Sequence, residues 1–220
     1  MKLSEKQVKT KIDKFIKGIE VDKRDASFDF CYLYFQLNKG NLGGENMERS
    51  CMQLWSYLAS WGMLRGSSPL FWRSPAALKD LITYLDEICA SSVWNADINS
   101  YTDDKEEIIR VYQNIEQILR KILGVKPTIT LVTKIMLGVF GCLPAVDQYF
   151  YNTFHFLYGG FRCIGEEELN HIYEFYMEHQ ALIDEKHVAV LDFSGNPTTL
   201  YYKKAKLVDM FGFIFGFEKK

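Results

Sequence analysis

The length, composition and charge of the chain indicate a folded globular protein and exclude several other classes. With 220 residues, of which 48% are hydrophobic and 15% aromatic, the chain can bury a sizeable core as one large domain or two small lobes, which excludes an intrinsically disordered protein. The formal net charge of −2 provides no general attraction to nucleic acids or acidic membranes, so any such binding needs a local basic surface.

Helical periodicity dominates the first half of the chain. Ser4 precedes apolar residues at three- and four-residue spacing, and residues 1–24 hold eight Lys or Arg against four Asp or Glu. A solvated basic helix is the simpler interpretation of this excess, and a nucleic-acid-binding helix is the alternative. Further helices are predicted from Asp25, from about Glu45 to near Gly62, over 74–90 and over 102–123.

The second half of the chain continues this pattern. We predict an apolar helix after Pro127, one from Ala145 toward Leu157, one over 165–185 and a last one from near Tyr201. Residues 187–202 carry the only plausible strand signal. The sequence therefore predicts an all-α fold of about nine helices, with residues 1–220 as one unit and possible lobes formed by 25–123 and by 1–24 plus 124–220.

Several common functional sites lack the residues they need. The five cysteines are scattered among apolar neighbours without a Cys-x-x-Cys pair, which predicts reduced core thiols in a cytoplasmic protein. No apolar stretch is long enough for a membrane span, and the four histidines lack metal-ligand spacing, so we predict neither a membrane nor a metal partner. Ser67 and Ser68 fit a turn between helices better than a serine hydrolase. Three tryptophans are predicted to anchor the core, although a tryptophan at a groove edge could stack on a base: Trp55, Trp61 and Trp72.

One stretch concentrates unusual features: ILGVKPTITLVTKIMLGVFGCLPAVDQYF, residues 122–150. Gly124 and Pro127 break the chain, and Thr128 or Thr130 can cap the following helix, whose N-terminal N–H groups would then face an anion such as a DNA phosphate. Pro144 is expected to start the next helix, with Asp147 in its first turn. An acid in that position also suits the helix dipole without any catalytic role.

The run LGVK…TLVTKIMLGVFG…PAVDQYF resembles the helix-hairpin-helix DNA glycosylases, whose signature is Leu-Pro-Gly-Val-Gly, a Thr/Ala-rich helix, an apolar Phe-Gly turn and Val-Asp at the next helix. The interval from Gly124 to Asp147, 147 − 124 = 23 residues, is comparable with that of the family. The resemblance implies that Asp147 is the catalytic aspartate. A fainter match over 28–55 implies a base pocket that contains Tyr32, Tyr34, Gln36 and Asn38.

The sequence also departs from the family pattern. Lys126 and Pro127 replace the second glycine of the hairpin. The lysine that bifunctional members carry just after the hairpin is not found at Thr128 or Ile129, and Lys134 lies deeper in the following helix. The resemblance therefore implies a monofunctional enzyme that hydrolyses the N-glycosidic bond. The cysteine cluster of some members is missing as well, so no cofactor is implied.

The leading hypothesis is thus a two-lobed, all-α DNA glycosylase that flips a damaged base, or a bulky modified base of phage DNA, out of duplex DNA and removes it through Asp147. Phosphate contacts are expected from Gly124, Lys126, Thr128, Thr130 and Lys134. The alternative is a non-catalytic all-α interaction or regulatory protein of a phage-related or defence system. The C-terminal aromatic residues fit either a core or a partner surface.

Overall fold

The computed structural model describes residues 3–161 and 163–219. This part of the chain folds into ten α-helices and one two-stranded sheet. The helices are α1 (Glu5–Lys17), α2 (Ser27–Leu37), α3 (Met47–Ser60), α4 (Lys79–Glu87), α5 (Tyr101–Leu123), α6 (Ile129–Phe140), α7 (Gln148–Tyr158), α8 (Glu166–Glu178), α9 (Gln180–Asp184) and α10 (Lys204–Glu218). The strands are β1 (Ala189–Leu191) and β2 (Pro197–Tyr201), and short 3-10 turns join several helices. The predicted all-α class is confirmed.

Several predicted elements differ in detail from the structure. The helix predicted from Ala145 begins at Gln148, the last helix begins at Lys204 and not near Tyr201, and the helix predicted over 74–90 is a 3-10 turn followed by α4. The helix predicted over 165–185 breaks at His179, whose φ of −125° and ψ of 21° are not helical, and this break adds the short α9. The single strand signal becomes an antiparallel hairpin with Ala189 opposite Tyr201. Its turn forms because the Asp192 carboxylate accepts two backbone N–H groups and Gly195 adopts a φ of +84°.

Helix α6 lies at the centre of the fold. Every residue from Leu131 to Phe140 is buried, and the helix packs against α2, α3 and α5. A helix that is apolar on all sides must be covered on all sides. Its first turn is capped by the Thr128 side chain, and Gly141 ends it with a φ of +67°, so both bounds follow from local sequence signals.

Helix α10 is the second core helix and packs between α1 and α7. Its start is fixed by Asp97, whose carboxylate accepts the N–H groups of Lys204 at 2.8 Å and Ala205 at 2.9 Å. Lys203 adds two hydrogen bonds to the carbonyls of Trp94 and Ala96. These contacts tie the C-terminal helix to the segment between α4 and α5, which holds α10 in position beside α6 and α7.

Two residues that were predicted to lie in the core are on the surface. Cys163 is exposed, unlike the other four free thiols, and Trp72 keeps 78% of its surface accessible. The buried residue in that 3-10 turn is Leu70, so the turn is anchored by its leucine and leaves Trp72 outside. Trp55 and Trp61 are partly buried against the core, as the prediction requires.

Substitution of Gly216 by alanine tests the close approach of α10 and α7. A Cβ atom at this position would overlap the backbone carbonyl of Tyr149, which cannot move as a side-chain end can. We expect Gly216→Ala to lower the free energy of unfolding by about 1–3 kcal/mol, despite the higher helix propensity of alanine. Gly66→Ala is the matched control, because nothing lies within 4 Å of its added Cβ. Urea unfolding curves of equal stability for the two variants would contradict this packing.

Candidate functional site

A cleft of about 730 Å³ opens among α1, the end of α3, α6, α7 and α10. Its described lining includes four aromatic residues, Trp61, Tyr149, Phe213 and Phe217, and five cationic ones, Lys14, Arg24, Arg65, Lys126 and Lys134. Asp147 is the one carboxylate among the described lining residues. The five cations make this concave surface a candidate for binding anionic ligands. Four of them, Lys14, Arg24, Lys126 and Lys134, also form ion pairs with carboxylates of the protein.

The segment between α6 and α7 carries the carboxylate and is fixed against α6. Thr130 of α6 donates its hydroxyl to the Val146 carbonyl at 2.8 Å, and Thr133 accepts the Val146 N–H at 2.9 Å. Both backbone groups of the residue before Asp147 are therefore bound by side chains one turn apart on α6. This arrangement holds Asp147 at a defined position on the cleft wall.

Asp147 uses its two carboxylate oxygens differently. Oδ1 accepts the N–H groups of Tyr149 at 2.9 Å and Phe150 at 3.0 Å, whereas Oδ2 lies 3.8 Å from Nζ of Lys134. The backbone of Asp147 is extended, with φ −85° and ψ −179°. The residue is therefore the N-cap that precedes α7 and not a member of its first turn, as the sequence had suggested, and one oxygen remains on the side of the cleft.

Lys134 is the partner that the sequence analysis did not assign to Asp147. Its side chain extends from the buried helix α6 and is 4% exposed, and its Nζ lies 4.6 Å from the centre of the Trp61 ring. A cation over an indole face gains from the ring quadrupole. Lys134 had been predicted to contact a DNA phosphate, but its ammonium lies inside the cleft against the carboxylate.

Burial shifts the protonation of both members of this pair. Desolvation raises the pKa of Asp147, while Lys134 and the N–H groups of Phe150 and Tyr149 oppose that rise. Desolvation lowers the pKa of Lys134, and the Asp147 charge opposes that fall. Each group therefore depends on the other to keep its charge in a dry environment, and perturbed acid–base pairs of this kind in a cleft are typical of functional sites.

The cleft contains four of the five residues predicted to contact phosphate: Lys126, Thr128, Thr130 and Lys134. Gly124 ends α5 with a φ of +76° just before them. The exposed Nζ of Lys126 lies 3.2 Å from Glu116. Because the Thr128 side chain accepts the Leu131 N–H, one of the free N–H groups at the start of α6 is already occupied by the cap.

The residues predicted to form a base pocket on α2 are not among those described as lining the cleft. Gln36 donates to the Val139 carbonyl at 2.8 Å, and Asn38 donates to the Tyr34 carbonyl at 2.8 Å. Tyr34 shares a 2.9 Å hydrogen bond with a buried serine, and Tyr32 stacks on a neighbouring ring of α2. Gln36 and Tyr34 therefore join α2 to α6 and α3, whereas the contacts of Asn38 and Tyr32 lie within α2 and its cap.

Sequence reasoning missed most of the cleft wall. Trp61 ends α3, and Arg24 lies over its ring at 4.6 Å, while Phe213 and Phe217 come from α10. No short motif joins these residues, because they are brought together only by packing. Some signals were present in the sequence: the basic segment 1–24 contains Arg24, and Trp61 is one of the tryptophans named as possible stacking residues. The C-terminal aromatic residues supply Phe213 and Phe217 to the cleft, while Phe215 is buried.

The described residues contain no group of three or more His, Cys, Asp or Glu side chains arranged to hold a metal ion. Within residues 3–161 and 163–219, no helix combines the length and the apolar character that crossing a membrane requires.

The double role of Asp147 can be separated by two substitutions. Asp147→Asn keeps an oxygen that can cap α7, whereas Asp147→Ala removes it, and both remove the counter-charge of Lys134. We expect the alanine variant to unfold with a free energy about 1 kcal/mol lower than that of the asparagine variant. Thermal and urea unfolding measure this difference. Equal stabilities of the two variants would mean that the Asp147 cap contributes little to the free energy of unfolding. The asparagine variant would then be no better than the alanine variant for testing function.

Comparisons of the chain with protein-family models, with curated proteins and with solved structures gave no match.

Proposed function

We propose that the protein is a DNA glycosylase that hydrolyses the N-glycosidic bond of a flipped nucleotide, with Asp147 as the catalytic carboxylate. The observation that supports this most directly is the composition of the cleft: one partly buried carboxylate lies among five cationic and four aromatic side chains. Cations suit the phosphates of a DNA strand, aromatic rings suit an unstacked base, and a carboxylate suits the positive charge that develops on the sugar.

The reaction requires an ionised Asp147 close to C1′ of the deoxyribose. As the bond from C1′ to the base nitrogen breaks, the base leaves with the electron pair and then gains a proton. Water forms the new bond to C1′ and gives a proton to the carboxylate. Lys134 and two backbone N–H groups favour the ionised carboxylate, and Oδ2 is the oxygen not used to cap α7.

The base is expected to stack among the aromatic side chains of the wall. Trp61, Tyr149 and Phe213 line the cleft, and Tyr149 and Phe213 already form an edge-to-face pair with ring centres 5.1 Å apart. A volume of about 730 Å³ is in the range of pockets for drug-sized ligands. This volume can hold either a damaged base or a bulky modified base of phage DNA.

A non-catalytic interaction protein is the second candidate, and one observation favours it. Phe71 and Trp72 form an exposed edge-to-face pair with ring centres 5.1 Å apart in the turn that follows the cleft residues Ser67 and Ser68. Exposed paired aromatic residues are typical of partner-binding surfaces. In that case the cleft would bind a partner or ligand without bond cleavage.

Base release from duplex DNA is the primary test. We expect the wild-type protein to release a base from at least one member of a panel of damaged, normal and phage-modified duplexes. The Asp147→Asn variant should release that base at least 100-fold more slowly, because electrostatic stabilisation of the sugar cation is lost. Asp103→Asn, which removes an exposed first-turn acid of α5 outside the cleft, is the matched control and should keep full activity.

Trapping with borohydride distinguishes water from an amine as the nucleophile. Hydrolysis by water predicts no covalent protein–DNA adduct in the presence of borohydride. Attack by the Lys134 amine would instead give an imine, which borohydride reduces to a stable adduct, and the Lys134→Met variant would not form this adduct. An adduct would correct the monofunctional assignment. Absence of both base release and DNA binding would favour the interaction protein.

The salt dependence of DNA binding tests the cationic wall. We expect Arg24→Gln and Arg65→Gln each to lower the slope of log affinity against log salt concentration by about 1, because each removes one phosphate contact. Lys121→Gln is the control, since Lys121 is exposed in the last turn of α5 and is not among the cleft residues. Equal slopes for all three variants would exclude this wall as the DNA-binding surface.

A further inference from the structure

A second buried ion pair lies behind Asp147 and Lys134. On α10, Nζ of Lys206 donates to Oδ2 of Asp209 at 2.8 Å, and the residues are 2% and 8% exposed. Replacing a buried ion pair with apolar residues of similar size is often neutral or stabilising. Stability alone therefore gives a weak reason for these two charges, and their surroundings point to another one.

Asp209 is linked to Asp147 through a single residue. Oδ1 of Asp209 accepts the backbone N–H of Ala145 at 3.0 Å, and the carbonyl of Ala145 accepts the N–H of Asp147 at 2.9 Å. Both backbone groups of Ala145 are thereby used, one toward each aspartate. The position of the Asp147 backbone consequently depends on the Asp209 carboxylate as well as on the threonines of α6.

The two ion pairs also face the same interior space. A small cavity of about 10 Å³ is lined by all four charged residues, Lys134, Asp147, Lys206 and Asp209, together with Trp61. The Trp61 ring is shared by the two ammonium groups, with Nζ of Lys134 at 4.6 Å and Nζ of Lys206 at 5.7 Å from its centre. Lys206 is further held over the rings of Phe28 at 4.6 Å and Phe15 at 5.0 Å.

We propose that Lys206 and Asp209 are positioning residues for the pair formed by Asp147 and Lys134. Asp209 holds the backbone that carries the carboxylate, and its charge, balanced by Lys206, sets the electrostatic potential at both members of the pair. The significance of this role for catalysis rests on the function proposed above, whereas the electrostatic coupling itself does not.

The signs of the coupling follow from the charges that face the pair. The Asp209 charge raises the pKa of both Asp147 and Lys134, and Lys206 and Arg24 lower the pKa of Lys134. The charged and titratable groups around Asp147 come from four parts of the fold: Lys134 of α6, Lys206 and Asp209 of α10, Tyr57 of α3 and Arg24 before α2. Removal of the Asp209 charge should therefore move the titration of both residues to lower pH.

The experiment compares Asp209→Asn with the double variant Lys206→Met/Asp209→Asn. In Asp209→Asn, an amide oxygen can still accept the Ala145 N–H, so the backbone link is kept and the charge is removed. We expect the acid limb of the pH–rate profile for base release to move to lower pH by about half a unit. In both variants, NMR titration of the Lys134 side chain is recorded on the protein without DNA.

The double variant covers the case in which Asp209→Asn fails to fold, because it leaves neither Lys206 nor Asp209 as an unpaired buried charge. In the double variant the acid limb should stay at lower pH, since Asp209 is still missing. The titration of Lys134 should return toward that of the wild type, because the repulsion from Lys206 is also gone. A purely structural pair would reduce the rate without moving either titration.

The two readouts separate this inference from the proposed reaction. If the wild type releases a base but the pH profile and the Lys134 titration are unchanged in both variants, the positioning role is wrong. If the wild type releases no base and the Lys134 titration still moves as expected, the proposed reaction fails while the coupling of the two ion pairs stands. If there is neither base release nor a change in titration, both proposals are overturned.

Discussion

The burial of the Lys134 ammonium inside the most apolar helix of the fold is the constraint on which the rest of the site depends. An unpaired charge in such a position would lose its proton or destabilise the protein strongly. Asp147 at 3.8 Å and the indole of Trp61 at 4.6 Å provide compensation. The segment after α6, the end of α3 and the start of α7 must all converge on this lysine, and the cleft opens where they meet.

The convergence is achieved by polar groups that are buried, as Thr133 and Asp209 are, or partly buried, as Thr130 is. Thr130 and Thr133 bind both backbone groups of Val146, and Asp209 binds Ala145 from the opposite side. The segment between α6 and α7, which has no regular secondary structure, is thus held by side-chain hydrogen bonds to the backbone of Ala145 and Val146. Such a network is rigid while every member is satisfied, since each loss leaves a buried group without a partner. Rigidity of this kind is what the catalytic role proposed for Asp147 would require.

The two interpretations of Asp147 are compatible. A helix cap and a catalytic acid are usually considered alternatives, but here one oxygen accepts two N–H groups of α7 while the other lies toward Lys134 and the cleft. The cap orients the side chain, which leaves the second oxygen in a fixed place. Carboxylates pair with four of the five cleft cations: Glu218 with Lys14, Asp25 with Arg24, Glu116 with Lys126 and Asp147 with Lys134. The positive charge that the cleft could offer to the proposed DNA ligand is therefore partly balanced within the protein.

The sequence by itself determined the all-α class, because apolar periodicity, caps such as Thr128 and the helix-ending Gly141 are local signals. It also singled out Asp147, through a short pattern of contiguous residues. Only the tertiary structure decided what surrounds that carboxylate. Lys134 is 13 residues away along the chain (147 − 134) and was expected on a phosphate, and Trp61 and Asp209 come from the end of α3 and from α10. Gln36 binds the Val139 carbonyl of α6, and Asn38 binds the Tyr34 carbonyl at the end of its own helix. The physical reason is that charge pairing and cleft formation depend on distances between elements remote in sequence, which no local periodicity encodes.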